Sequence, residues 1–145
     1  MHDCIKAKKV LGFDFGRKQI GIAAGQTVTH TSSALTIVKA KNGIPDWISL
    51  DKIIMDWEPD IFVVGLPLNM DLTEGDLSQE SRKFALSLQN RFGRKAEMMD
   101  ERLTSREAKE QRRTVNGKHS NKVDDLAAAL ILQSWLDNPS LGQKP

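Results

Sequence analysis

Val10-Leu11-Gly12-Phe13-Asp14-Phe15-Gly16, followed after Arg17 and Lys18 by Gln19-Ile20-Gly21-Ile22-Ala23, is the stretch on which the fold turns. Two short apolar runs flank the turn-sized Gly16-Arg17-Lys18, so they read as strands, about Lys9 to Gly16 and Gln19 to Gln26, closed into a hairpin. A third strand, about His30 to Ala40, continues the antiparallel set. Asp14 breaks the apolar pattern, and an ionised carboxylate in such a strand is costly unless something neutralises it. Gly12 and Gly16 stand two residues to either side on the same face, which predicts room for a ligand beside the carboxylate. The alternative is an aspartate at a strand end that caps the next turn.

Outward from this hairpin the hydrophobic period changes. Between Ile44 and Trp57, Trp47, Leu50, Ile54 and Trp57 recur at three- and four-residue spacing, which predicts an amphipathic helix that Pro59 stops. Ile61-Phe62-Val63-Val64-Gly65-Leu66 is apolar without alternation, as in a central strand covered on both faces. Asp76 opens a second helix with Leu77, Phe84 and Leu88 on one stripe, ending near Phe92-Gly93. Ala96 to Glu101 makes a short fifth strand. Thr104-Ser105-Arg106-Glu107 has the form of a capping box, so a basic helix is expected to about Arg113. A polar loop from Val115 to Lys122 leads to a last helix, about Val123 to Leu136. The order βββαβαβαα predicts one α/β domain over residues 1–145, a mixed five-stranded sheet with helices on both faces. Its core spans about residues 9–137, and a short flexible tail covers 138–145.

Composition narrows the function classes. In 145 residues the sole cysteine, Cys4, excludes an internal disulfide and a thiolate zinc cage. No apolar run reaches the roughly 18 residues of a membrane span, so a soluble, cytoplasmic protein without a membrane partner is expected. The net charge is only +2, but Arg102 to Lys122 carries seven basic residues against Glu107 and Glu110, a local +5 on a slightly acidic body. That segment is either a solvated helix face or a footprint for phosphates.

Two further acids accompany Asp14. Glu101 ends a strand just before a helix start, where α/β sheets place ligand-handling side chains; it could equally pair with Arg102 on the surface. Asp124 lies in the first turn of a helix without charge from Leu126 to Leu136, and at 100° per residue it shares a face with Ile131 and Trp135. It could instead act as a helix cap, a role that suits its neighbour Asp125 better. Three carboxylates without a histidine or thiol cluster point to hard divalent cations, Mg²⁺ or Mn²⁺, as a two-metal site. The chemistry that needs this set is in-line displacement at phosphorus. The basic segment would then neutralise backbone phosphates, with Arg102, Arg106 and Lys118 among the expected substrate contacts and Arg17 beside Asp14 in the hairpin turn. His119 is a weaker candidate for protonating the leaving group, and Trp47, Trp57 and Trp135 read as core before they read as stacking platforms.

Four ordered blocks carry a resemblance: Leu11 to Gly16 with Ile20 to Ala23; Val63-Val64-Gly65-Leu66-Pro67-Leu68-Asn69-Met70-Asp71; Asp100-Glu101-Arg102-Leu103-Thr104-Ser105; and Val123-Asp124-Asp125-Leu126-Ala127-Ala128 with Ile131-Leu132-Gln133. Together they resemble the YqgF (RuvX-like) family, bacterial RNase H-like proteins to which Holliday junction resolution and pre-16S rRNA cleavage are ascribed. The resemblance implies an RNase H-like fold with Asp14, Glu101 and Asp124 as metal-binding catalytic acids. It also implies that the Leu66 to Asp71 loop, with Asn69, and the Arg102 to Ser105 block, with Ser105, border the active site. The implied substrate is structured precursor 16S rRNA or a DNA four-way junction, and the implied state a monomer or a homodimer. Gln19, Gln26 and Leu72 depart from the family pattern and bear on substrate contacts rather than on the acids. A non-cutting ribosome-assembly factor is the competing reading, and an ATP phosphotransferase with a similar first hairpin would need a second domain that this length lacks.

Overall fold

The computed structural model describes residues 8–69, 71, 73–100 and 122–145, of which 122–125 are described as helical backbone only. The strands are β1 (Lys9–Asp14), β2 (Gln19–Gln26), β3 (Thr31–Lys41), β4 (Ile44–Pro45), β5 (Ile61–Leu66) and β6 (Lys95–Asp100). The helices are α1 (Trp47–Trp57), α2 (Asp76–Phe92) and α3 (Lys122–Asp137). Among the described residues the strands form one mixed sheet in the order β4-β3-β2-β1-β5-β6. β1 to β4 pair antiparallel, whereas β1, β5 and β6 run parallel.

The sheet has six strands where five were expected. Asn42 and Gly43 both take positive φ, 53° and 84°, and close a tight hairpin that zips Ala40 and Lys41 onto Pro45 and Ile44. Asn-Gly is a strong hairpin signal, because both central residues of such a turn need φ above zero. The helix predicted from Ile44 therefore starts at Trp47, behind an Asp46 cap whose carboxylate accepts from the Ser49 hydroxyl at 2.9 Å.

Strand alternation divides the core. On one face Leu11, Phe13, Ile20, Ile22, Phe62, Val64 and Met98 pack against Leu50 and Ile54 of α1 and Phe84, Ala85 and Leu88 of α2. On the other, Val10, Ala23, Ile61, Val63 and Met99 pack against Ala128, Ile131, Leu132 and Trp135 of α3. Each fully buried leucine or phenylalanine contributes about 1.5–3 kcal/mol over its exposed state. β5 is buried along its whole length, as its unbroken apolar run predicts.

β3 carries a bulge. Ile22 faces Thr36 but Ala23 faces Ala34, so Leu35 is an extra residue between two registers. Leu77, expected on the buried stripe of α2, is 37% exposed; that stripe runs through Ser78, Ser81, Phe84, Ala85 and Leu88. Both serines are satisfied, Ser81 donating to the Leu77 carbonyl and Ser78 to that of Pro67. Arg91 clasps α2 to α1, pairing with Asp51 at 2.8 Å and lying 4.6 Å over the Trp47 ring. Trp47 and Trp135 are thus packing residues, while Trp57 is 38% exposed.

Residues 138–145, expected as a flexible tail, are held against the sheet. After a 3-10 turn at Pro139–Leu141, Gln143 and Met98 exchange two backbone hydrogen bonds, 2.7 and 2.8 Å long, and the Lys144 carbonyl accepts from Arg82. The exposed edge of β6 supplies the unpaired backbone groups that make this docking favourable. Among the described residues no helix is long and apolar enough to cross a membrane.

Candidate active site

Because β1, β5 and β6 run parallel, their C-terminal ends meet at one edge of the sheet, the usual location of a ligand crevice in such sheets. Asp14 is the last residue of β1 and is half-buried. It shares a strand face with Val10 and Gly12, the face that α3 covers.

What stands beside Asp14 differs from the sequence expectation. A Cβ on Gly12 would lie 2.7 Å from Leu132 Cβ and 3.2 Å from the Ala128 carbonyl, so Gly12 serves the close approach of α3 and leaves no space for a ligand. A Cβ on Gly16 would lie 2.5 Å from the Gln19 carbonyl, so that glycine serves the turn. The room comes from the flanking strands. Asp14 is in register with Gly21 of β2, and one step past the Phe13–Val64 pair it comes level with Gly65 of β5. By alternation both glycines lie on the α3 face, so the carboxylate has no side chain on either neighbouring strand beside it. An open cleft of about 260 Å³ follows the turn from Asp14 to Gln19.

α3 runs antiparallel to β1: Gly12 meets Ala128 and Leu132, while Gly25, paired with Val10, meets Leu132 and Leu136. Four residues back along a helix and two forward along a strand are steps of about 6 and 6.6 Å. From the Ala128–Gly12 contact they bring backbone positions 124 and 14 to the same level. The Asp124 side chain lies outside the described residues, as does that of Asp125.

On β6 the indole N–H of Trp135 donates to Glu97 Oε1 at 3.0 Å, which fixes Glu97, and with it Met99, on the α3 face. Asp100 alternates to the opposite face. Glu101, Arg102, Thr104, Ser105, Arg106, Lys118 and His119 lie outside the described residues, as does the predicted basic helix. Among the described residues no three His, Cys, Asp or Glu side chains gather into a metal-sized group.

Arg17 sits on the rim of the Asp14 cleft but turns its fork onto Glu80 of α2, Nε at 2.9 Å and Nη2 at 2.5 Å from Oε2. Hydrogen bonding and charge from this pair raise the arginine's pKa and hold the Glu80 carboxyl below its ordinary value. Nothing in the sequence signals this tie, because its partners are 63 residues apart. Asn69 bridges its own loop, donating from Nδ2 to the Thr73 hydroxyl at 3.0 Å and from its backbone N–H to the Thr73 carbonyl at 2.9 Å. Asp71 accepts from the Thr73 hydroxyl and N–H, which lowers its pKa. Asn69 and Asp71 are thereby both tied to Thr73 in the segment after β5.

A family model described as "RuvX: Holliday junction resolvase" matches residues 8–138. The chain belongs to this family. A protein of Histophilus somni named "Putative pre-16S rRNA nuclease" is 50% identical over 137 residues, 92% of this chain and 97% of its own length. One of the same name from Mannheimia succiniciproducens is 52% identical over 133 residues, covering 90% and 95%. Solved structures extend the likeness to fold. The RuvC of Thermus thermophilus in complex with a Holliday junction substrate superposes with a TM-score of 0.58 at 14% identity, covering 93% of this chain and 98% of that one. The fowlpox virus Holliday junction resolvase gives 0.55 at 13% identity, covering 90% and 99%. The chain thus has the RNase H-like α/β fold that its sequence implied.

Proposed function

We propose that this chain is a divalent-metal-dependent endonuclease that hydrolyses phosphodiesters in the 5′-end maturation of precursor 16S rRNA, in the cytoplasm, with Asp14, Glu101 and Asp124 as its metal-binding acids. The observation that carries the reading is Asp14, held between Gly21 and Gly65 at the end of β1, on the face of the sheet that α3 covers from Gly12 onward. Glu97 and Met99 of β6, the strand that leads in sequence to Glu101, also face α3. These donors are carboxylate oxygens, which suit a hard cation such as Mg²⁺ or Mn²⁺ and disfavour zinc. Bound there, such ions would acidify a water molecule and neutralise charge developing on the phosphate oxygens.

The chain's own residues do the positioning. A strand end has few soft degrees of freedom, so Asp14 presents its oxygens from a fixed place, and the absent side chains at Gly21 and Gly65 admit a phosphate beside it. Names of relatives about 50% identical over nearly their full lengths support rRNA as the substrate. Purified protein with Mn²⁺ should cut a precursor 16S rRNA fragment, and Asp14→Asn should abolish cutting while the melting curve stays that of a folded chain. Cutting that persists in Asp14→Asn would refute the assignment of the acids; a four-way DNA junction cut in preference to the rRNA would refute the substrate.

A further inference from the structure

On the α3 side, the sheet continues past the first turn of that helix without cover from any described residue. Gln19 of β2 and Lys39 of β3 are paired there, and beyond them Lys41 stands across the β3–β4 hairpin from Ile44. Lys39 and Lys41 are exposed, and Ile44 is 64% exposed. The register fixes their side. Asp14 faces Gly21, Gly21 faces Ile37, and Lys39 and Lys41 follow Ile37 at two-residue steps, so both lysines share the face of Asp14.

We propose that Lys39, Lys41 and Ile44 form a second nucleic-acid contact, a platform on β3–β4 that holds the strand as it leaves the Asp14 edge. The proposal rests on the nuclease reading above. Two strand spacings across and two residues along separate the Cα atoms of Asp14 and Lys39 by about 12 Å. At roughly 3.4 Å of rise per nucleotide this is a path of about three to four nucleotides. Neither lysine pairs with an acid among the described residues. Asp46, opposite Lys39 in the hairpin, uses its carboxylate to cap α1. The cations are therefore available to phosphates. With Asn42 and Ile44 they line a groove of about 430 Å³, wide enough for a nucleotide whose sugar or base covers the isoleucine. The platform moves with the active edge, because Ala40 N–H donates to the Lys18 carbonyl at 2.8 Å and Gly43 N–H to that of Arg17 at 3.0 Å, tying the two hairpins together.

The test is binding of a labelled RNA stem-loop with a single-stranded extension, in EDTA so that nothing is cut, titrated at several salt concentrations. Lys39→Gln with Lys41→Gln should weaken binding and lower the slope of log K against log salt by about 1.4–1.8, the share of two phosphate contacts. Ile44→Ser should weaken binding several-fold and leave the slope unchanged. Lys52→Gln with Lys83→Gln, exposed residues on α1 and α2, removes the same charge elsewhere and should change the slope by less than half as much. An unchanged slope in the Lys39, Lys41 variant, an equal fall in the control, or no RNA binding by the wild-type chain overturns the platform. Cleavage in Mn²⁺ is scored separately: lysine-dependent binding without cleavage refutes the nuclease reading alone, and cleavage without lysine dependence refutes the platform alone.

Discussion

Gly12→Ala adds one methyl group at the point where α3 lies closest to the sheet. The new Cβ would start 2.7 Å from Leu132 Cβ and 3.2 Å from the Ala128 carbonyl. Neither neighbour is the far end of a flexible side chain, so relief requires α3 to move. Overpacking of this kind costs about 1–3 kcal/mol. For a chain of this length each kcal/mol lowers Tm by about 2–4 °C, so a fall of roughly 3–10 °C is expected in a circular-dichroism melt. The displaced helix is also the one that carries position 124, two strand residues along from Gly12, so cleavage by the folded variant should fall by at least roughly tenfold. Leu132→Ala in the same chain should not rescue it, because the clash is with Cβ and backbone. Gly75→Ala is the control: its Cβ would come no nearer than 3.5 Å, to the Asn69 side chain, and should cost little. A Gly12→Ala chain that melts within a degree of wild type with unchanged cleavage would refute both the packing argument and the link between α3 and the site.

Two further outcomes follow from the hydrogen bonds. Glu97→Ala leaves the indole N–H of Trp135, a residue 4% exposed, without its acceptor, and should cost about 1–3 kcal/mol, read as a lowered Tm with a changed Trp fluorescence maximum; Glu97→Gln, which keeps an oxygen there, should cost less. Glu80, Glu74 and Asp51 are each held below their ordinary pKa by hydrogen bonds from Arg17, Arg82 and Arg91. Depressed carboxyls stabilise the fold at pH values above their unfolded pKa and lose that contribution as pH falls through the folded value. Glu80→Gln should therefore lower Tm at pH 7, and the gap from wild type should close as pH falls below the ordinary carboxyl range and through the depressed folded value. A gap that stays constant over that fall in pH would show that the Arg17 pair contributes nothing.

The strands and helices that the sequence made legible are those whose apolar period is their own cause: β1, β2, β5 and α3 bury the residues that the pattern nominates, as does α1 except at Trp57. β4 is hidden in the sequence because Ile44 fits the helical period that begins at Trp47, although the Asn42-Gly43 turn and the Pro45-Asp46 start signal together locate the boundary. At the site, Asp14 could be singled out from its strand alone, but the reason for the space beside it could not. Gly12 and Gly16 look like neighbours of Asp14 in sequence, whereas Gly21 and Gly65 become neighbours only when strand order and register are known. The Arg17–Glu80 pair is likewise illegible in the sequence, because Glu80 lies on a helix that the hairpin meets only in the fold.

Leu35 has a consequence larger than its size. Up to Ala34, the even-numbered residues of β3 point toward α3, as Ser32 does in donating to the Ala129 carbonyl; from Ile37 onward the odd-numbered ones do. One inserted residue acts as a phase shifter for the strand. It leaves the apolar half of β3 in step with the core and decides which side of the sheet the two lysines beyond it charge. Among relatives of this chain, a one-residue insertion or deletion near position 35 would therefore act on electrostatics at a distance, moving positive potential from one face of the sheet to the other without changing any charged residue.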